Sequence, residues 1–408
     1  MDRKGTSSSF KSFRDDAPVA AGLQRASARP TAACCGAACV HMLPQRCRAP
    51  SARRAPHAPR APSVCSARAG NSAPHPRCCS QAPLRLARAM TPASASAHEA
   101  GSAAGVAHDG TVCVVSGVSA LESNYDVVLL DQYGVIHDGR VAYPSALDAV
   151  RRLSEAGKSI WILSNSGRRA EDTLDKITKL GFHRSWFAGA MTSGETTHQA
   201  LTTRSDPFFA ALGRCCLHLT WAARGAISVQ SLGLVHVTDV QQADFVLAHG
   251  LEAITTGADT PAQAVTMDEV RDIVKGAAAR SLPLVIANPD VVTVDRTHLV
   301  PMPGYTGKIY VEDYGGPPDA VKLMGKPARV IYQATSKLCG PGRVLAVGDS
   351  LSHDIRGAAD FGVDSLYVAG GIHAHELAPD QLTALGVAEL AATHGCPSPT
   401  YAAPFFQW

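Results

Sequence analysis

One stretch constrains the fold more than any other. It runs Asp126-Val127-Val128-Leu129-Leu130-Asp131, continues through Gln132-Tyr133-Gly134 and closes at Gly139. A short, nearly unbroken Val/Leu run reads as a strand buried on both faces, the habit of a parallel sheet. The run stops at the carboxylate of Asp131, and glycines at 134 and 139 turn the chain. Open α/β sheets bind ligands outside the carboxyl ends of their strands. A carboxylate there can attack phosphorus, hold a metal, or do both. It can equally serve only to cap the turn that follows.

The rest of the body repeats this plan. Pro144 to Gly157 reads as a helix, with proline at its start, apolar residues at helical spacing and glycine at its stop. Ser159 to Leu163 is a second apolar strand, ending in Ser164-Asn165-Ser166-Gly167, and Arg168 to Leu180 is again helical. Strand–helix–strand–helix order predicts a parallel sheet with right-handed crossovers. Between 188 and 300 the pattern recurs on a smaller scale. Glu195–Leu212 is broadly helical, strands are expected at Cys216–Leu219, Leu234–Val237, Phe245–Ala248 and Leu284–Ala287, and a helix at about Met267–Arg280. Pro- and Gly-rich loops then lead to Gly325-Lys326-Pro327, a helix at about 328–338, a strand at Val344–Val347 and a last strand at Ser365–Val368. These readings predict a discontinuous core over 113–187 and 301–390, an inserted α/β domain over 188–300 and an unpatterned tail over 391–408.

The first hundred residues are of another kind. Of the 38 Lys+Arg and 35 Asp+Glu in the chain, 15 and 3 fall in residues 1–98. That segment is about +12, and the remainder, with 23 basic and 32 acidic residues, about −9. The acidic body argues against a nucleic-acid-binding protein. The leader is rich in Ala, Arg, Ser and Pro and sustains no apolar periodicity, so residues 1–100 are expected to be disordered. Arg- and Ser-rich, acid-poor leaders mark organelle transit peptides, and a chloroplast is expected ahead of a mitochondrion. A retained basic tail that binds anions is the alternative. No apolar run approaches the roughly 20 residues that span a bilayer, so no membrane role is expected. Seven of the 12 cysteines lie in this leader; Cys113, Cys215, Cys216, Cys339 and Cys396 are scattered through the body and suggest neither a disulfide framework nor a metal cage.

Four strand or loop ends carry reactive groups: Asp131, Ser164 with Asn165, Lys326, and Asp349 with Asp354. Parallel strands put their carboxyl ends on one edge, so these groups can converge. Each has a part in phosphoryl transfer. Asp131 would be the nucleophile, and with Asp349 would hold Mg²⁺, a hard cation that often uses one or two carboxylates plus phosphate. Lys326 would neutralise charge, and the Ser164 hydroxyl would hydrogen-bond the transferring group. Singly, each has a plainer reading: Ser164-Asn165 as a helix cap, Lys326 as a solvated loop lysine, Asp349 and Asp354 as caps of the next helix.

Together the set resembles the haloacid dehalogenase superfamily, whose motifs are Asp-x-Asp-Gly, a Ser/Thr strand end, a Lys, and Gly-Asp-x(n)-Asp. The insertion between Ser164 and Lys326 resembles the large α/β cap of its class IIA branch. Asp131-x-x-Gly134-Val135, Leu163-Ser164-Asn165, Asn288-Pro289-Asp290, Gly325-Lys326-Pro327 and Gly348-Asp349-Ser350 all match that branch, over about residues 124–390. The resemblance implies a Rossmann-like core with an inserted cap and an Mg²⁺-dependent hydrolase of small phosphate esters. It implies Asp131 as nucleophile and Ser164, Asn165 and Lys326 as phosphate ligands. Asp131, Asp349, the Tyr133 carbonyl and, in support, Asp354 serve the metal, and Asn288 and Asp290 are candidate cap contacts. A homo-oligomer is compatible with it.

One departure stands out. Most phosphatases of the family carry an Asp two residues after the nucleophile as general acid/base, and here that residue is Tyr133. A phenol is a poor proton carrier near neutral pH, and losing such a group typically costs about 10²–10⁴-fold in rate. A slow phosphatase, a phospho-ligand-binding protein on the same fold, and a dehalogenase, in which a Tyr also occurs there, are the three readings. Asp349 and the large cap argue against the last. His137 and Asp138 are nearby substitutes for the missing acid/base, or turn-formers. Gly348-Asp349-Ser350-Leu351 also spells a lipase/esterase motif, but it comes late and no Asp-x-x-His follows it. His373-Ala374-His375 lacks a third ligand in the sequence, and reads as the exposed start of a helix.

Overall fold

The computed structural model describes residues 111–225, 229–257, 260–295 and 298–408, all within one unit that spans Pro92–Trp408. The expected leader lies outside the described residues. Following the chain, β1 (Cys113–Val114), β2 (Val127–Leu130), α1 (Pro144–Glu155), β3 (Ser159–Ser164), α2 (Ala170–Lys179) and β4 (Gly189–Thr192) come first. Next are α3 (Ser193–Thr203), α4 (Pro207–Ala210), β5 (Cys215–Thr220), β6 (Val235–His236), β7 (Phe245–Ala248), β8 (Ala253–Ile254) and β9 (Gln263–Ala264). Then follow α5 (Met267–Ala279), β10 (Leu284–Ile286), β11 (Val292–Asp295), β12 (His298–Pro301), α6 (Gly304–Glu312) and β13 (Val321–Leu323). The chain closes with α7 (Arg329–Cys339), β14 (Val344–Gly348), α8 (Arg356–Phe361), β15 (Asp364–Val368), α9 (Ala384–Thr393) and β16 (Tyr401–Ala403).

The core sheet has the order β1-β16-β15-β14-β2-β3-β4, and every pair in it is parallel. All four residues of β2 are buried. Val128 and Leu130 face one layer of core, beside α1 and α2 residues such as Val150 and Ile177. Val127 and Leu129 face the other, beside Ile331 and Tyr332 of α7. The two-residue alternation of a strand thus serves two apolar layers. A fully buried Val or Leu stabilises by about 1.5–3 kcal/mol, so each residue of β2 helps to fix the strand that leads to Asp131. Strand order runs outward from β2 to β4 on one side and from β14 to β16 on the other, which makes the β2/β14 seam the switch point where α/β sheets bind ligands.

The inserted domain has its own sheet, β13-β10-β7-β5-β8-β9 with β6 paired to β5, parallel from β13 to β5 and antiparallel beyond. α5 and α6 cover one face. A capping box of Thr266 and Glu269 starts α5.

The sheets set boundaries that differ from the expected ones. β4 belongs to the core sheet although it lies past 187, and β13 belongs to the cap sheet although it lies past 300. Residues 391–408 are no tail, because β16 pairs with both β15 and β1. α6 falls in a stretch read as loop because of its glycines. A methyl group at Gly307 would come 2.4 Å from Ile286 Cδ1, so that glycine permits close helix–sheet packing rather than a turn. α9 is apolar almost all round, and so shows no stripe to reveal it. The five body cysteines are free. Among the described residues no helix is long and apolar enough to cross a membrane.

Candidate active site

The carboxyl ends of β2 and β14 bring the expected carboxylates together. Oxygens of Asp131, Asp349 and Asp354 all lie within 4.8 Å of one another. Lys326, 195 residues from Asp131, donates from Nζ to Asp131 Oδ1 at 2.7 Å and to Asp354 Oδ1 at 2.6 Å. Asp354 also accepts the Ser350 N–H at 3.0 Å, and Asp349 Oδ2 accepts the Ile372 N–H at 2.9 Å. Gly134, at φ +82°, turns the chain back beneath this cluster. A methyl group there would come 2.1 Å from Asp349 Oδ2, so glycine is required for both the turn and the approach.

Burial dominates the electrostatics. It lifts Asp131 to about 7 against the pull of Lys326, and pushes Asp349 well above the carboxylate range, with Asp131 and Asp354 adding to the push. Burial alone would depress Lys326, but Asp131 and then Asp354 hold it above the usual lysine range. The ammonium is therefore charged at any pH of interest, and the crowded Asp131 and Asp349 carboxyls are pushed toward protonation unless a cation joins them.

Removing that ammonium has a calculable direction. Lys326→Met leaves Asp131 and Asp354 buried without their shared partner, and should lower unfolding stability by about 3–5 kcal/mol at pH 7. The Asp131 carboxyl, already above its unfolded value, would titrate higher still. A carboxyl raised in the folded state loses stability as pH rises from its unfolded value to its folded one. The deficit should thus be small near pH 4 and full above pH 7. Urea unfolding at both pH values measures it; equal deficits would show that the lysine acts through packing instead of charge.

Ser164 is held from behind. Its Oγ accepts from Gln132 Nε2 at 2.6 Å and from the Ser166 N–H at 3.2 Å, which leaves its own hydrogen to donate. Gln132 Oε1 faces His137 Nε2 at 3.3 Å, and His137 Nδ1 accepts the Gly139 N–H at 3.0 Å. That pattern fixes His137 as neutral with hydrogen on Nε2, and burial accordingly lowers its pKa to about 4. His137 is 1% exposed, so it orients Gln132 and Ser164 and is no substitute acid/base. Asp138 instead forms the turn, accepting the Arg140 and Val141 N–H groups. Gln132 was missed in the sequence. Its signal was an amide at the end of a buried apolar strand, where a polar group needs a partner.

Asn165 has a different employment from the expected one. Its Nδ2 donates to Asp290 Oδ1 at 2.8 Å and to the Lys326 carbonyl at 3.1 Å. It ties a core strand end to the cap and to the lysine loop, so both amide hydrogens of Asn165 are committed. Asn288 accepts the Asp290 N–H at 3.1 Å, and both residues line the same cavity of about 630 Å³. Tyr133 also lines it and is 50% exposed. Ser350 Oγ lies 3.1 Å from His353 Nδ1, and Asp290 approaches that same nitrogen at 3.7 Å, so the three cannot relay a proton across the ring as an esterase triad does. His373 is buried in a turn and not on an exposed helix; it meets Glu376 at 2.7 Å, which also meets His394 at 2.8 Å.

A family profile described as haloacid dehalogenase-like hydrolase matches residues 128–223, and a second HAD-hydrolase-like profile matches 323–391. The first contains Asp131 and Ser164, the second Lys326, Asp349 and Asp354. The chain carries haloacid dehalogenase-like hydrolase domains over these two segments. This hydrolase is 26% identical over 268 residues to a glycerol-3-phosphate phosphatase of Gallus gallus, covering 62% of this chain and 82% of that one. It is 27% identical over 274 residues to chronophin of Bos taurus, covering 63% and 85%. In fold, this hydrolase is similar to a haloacid dehalogenase-like hydrolase of Brucella suis 1330, with TM-score 0.55 and 23% identity over 72% of this chain and 100% of that one. It is also similar to a p-nitrophenyl phosphatase of Archaeoglobus fulgidus, with TM-score 0.52 and 18% identity over 69% and 96%.

Proposed function

We propose that this hydrolase cleaves phosphate monoesters of small metabolites through an aspartyl phosphate on Asp131, with Mg²⁺ as its cation. The observation that carries this reading is Lys326 seated between Asp131 and Asp354, with Asp349 in the same carboxylate cluster. The similarity to a glycerol-3-phosphate phosphatase supports it. The donor set fits a hard divalent ion, since all three side chains offer oxygen. Two of these carboxyls are forced toward protonation by crowding and burial, a pressure that a cation relieves. Asp131, Asp349 and the Tyr133 carbonyl would hold it, with Asp354 in support, and the ion would neutralise phosphoryl oxygens.

The residues of the chain do the rest. An Asp131 oxygen attacks phosphorus, the bond from phosphorus to the ester oxygen breaks, and the leaving oxygen takes a proton from water in the cavity. Lys326 balances charge on Asp131 and the transferring group, and the Ser164 hydroxyl donates to a phosphoryl oxygen. Water then attacks the phosphorus of the aspartyl phosphate, the bond to the Asp131 oxygen breaks, and inorganic phosphate and the free carboxylate are restored.

The test is turnover of a panel of phosphate esters by the full chain, with Mg²⁺ and with EDTA. Phosphate release with Mg²⁺ that EDTA reduces to background is the expected result. Release that ignores EDTA would remove the metal from the reading. Tyr133 favours a second reading, a phospho-ligand-binding protein with little turnover, and ester binding without phosphate release would establish that instead.

A further inference from the structure

One wall of the cavity carries cations that have no anion beside them. Lys176 comes from α2 in the core and Arg224 from the segment after β5 in the cap, and both line the cavity that contains Asp131 and Lys326. Neither side chain makes an ion pair or hydrogen bond with any described residue. Arg224 Nη1 is sealed from water without an acceptor, 3.7 Å from where a methyl group at Gly167 would lie. The carboxylates that act on Arg224, Asp172 and Glu252, do so from beyond contact, and Glu252 is engaged with the Ala222 N–H at 3.0 Å. Burial lowers both cations, and Arg168 lowers each of them further.

Buried polar groups without partners are rare and call for an explanation. Gathering unpaired cations from two domains on one wall destabilises the free protein through desolvation and like-charge repulsion. An anion that arrives with the ligand removes both penalties. The phosphate at Asp131 does not need these residues, because Lys326 and Ser164 already serve it. We propose that the substrate carries a second anionic group, a carboxylate or a second phosphate, and that Lys176 and Arg224 receive it. This rests on the phosphatase reading of the site and names its substrate class. An anion held between a core helix and the cap would also favour the closed site only for doubly charged substrates.

The test uses three probes on the full chain with Mg²⁺ at fixed ionic strength: glycerol phosphate, 3-phosphoglycerate and fructose 1,6-bisphosphate. Binding is read by calorimetry in an Asp131→Asn background, and turnover in the parent. Charge-assisted contacts of this kind should make at least one doubly anionic probe bind about tenfold or more tighter than glycerol phosphate. Which of the two does so tells carboxylate from phosphate. Arg224→Ala and Lys176→Ala should each erase most of that advantage and leave glycerol phosphate binding unchanged. Arg271→Ala, which removes an exposed cap cation paired with Asp268, should preserve it. Equal binding of all three probes, or an equal loss in Arg271→Ala, would overturn the proposal. Parent turnover of glycerol phosphate with no preference for double charge overturns it while the phosphatase reading stands. Discriminating binding without parent turnover upholds it while that reading fails, and no binding of any probe overturns both.

Discussion

Asp131→Asn should remove turnover by about 10⁴-fold or more while the protein remains folded, a loss typical of deleting a covalent nucleophile. The substitution is nearly isosteric. Its amide oxygen can still accept from Lys326 Nζ, which stands 2.7 Å from Oδ1 in the parent. An amide cannot form the aspartyl phosphate. Nor should folding suffer, because burial already raises the Asp131 carboxyl to about 7 and a neutral group there is no burden at pH 7. The measurement is phosphate release with the best ester, beside the urea midpoint of both proteins. Residual turnover above about one part in a hundred, with an unchanged midpoint, would mean that another group attacks phosphorus.

Tyr133→Asp should act in the opposite direction. The ring is half exposed in the cavity and meets His137 edge-on at 6.2 Å, so its loss removes little buried surface. Surface changes of that kind usually fall within about 0.5 kcal/mol. A carboxyl two residues after Asp131 would supply the general acid/base of the family pattern, worth about 10²–10⁴-fold. The gain should be large for an alkyl phosphate, whose leaving oxygen needs a proton. It should be small for p-nitrophenyl phosphate, whose leaving group departs without one. Equal gains for the two esters would show that the tyrosine had been obstructing entry and not withholding a proton.

Much of this site was legible because it hangs on strands that composition makes unmistakable. Val127–Leu130, Ser159–Ser164 and Val344–Gly348 are dense apolar runs; the second ends in Ser164, and Asp131 and Asp349 directly follow the other two. Asp131, Ser164, Lys326 and Asp349 could be read from order and spacing. The partners that set their roles could not. Asn165 looked like a phosphate ligand because nothing local reveals Asp290, 125 residues away, as its acceptor. His137 looked like a spare acid because its burial and its Gln132 contact depend on the folded turn. Lys176 and Arg224 sit on unrelated elements and share a cavity only after the cap closes over the core. α6 and α9 escaped for a different reason: one is punctuated by glycines that packing demands, the other is too uniformly apolar to show a face.

The seam between β2 and β14 has a bearing on how the enzyme comes into being. Val127 pairs with Val344, so the strand that leads to Asp131 is synthesised long before this neighbour. The cap sheet, by contrast, is built from strands that follow one another from β5 to β13. At about 5–20 residues per second, roughly 10–40 s separate the emergence of β2 from that of β14. During that interval the cap can assemble while one edge of β2 waits unpaired, and non-local pairing of this kind is slow to form. Lys326 and Asp349 emerge at the end of the same interval. A nascent chain on the ribosome thus holds Asp131 without Lys326 and Asp349 beside it, and the enzyme assembles this cluster only when β14 joins the core sheet.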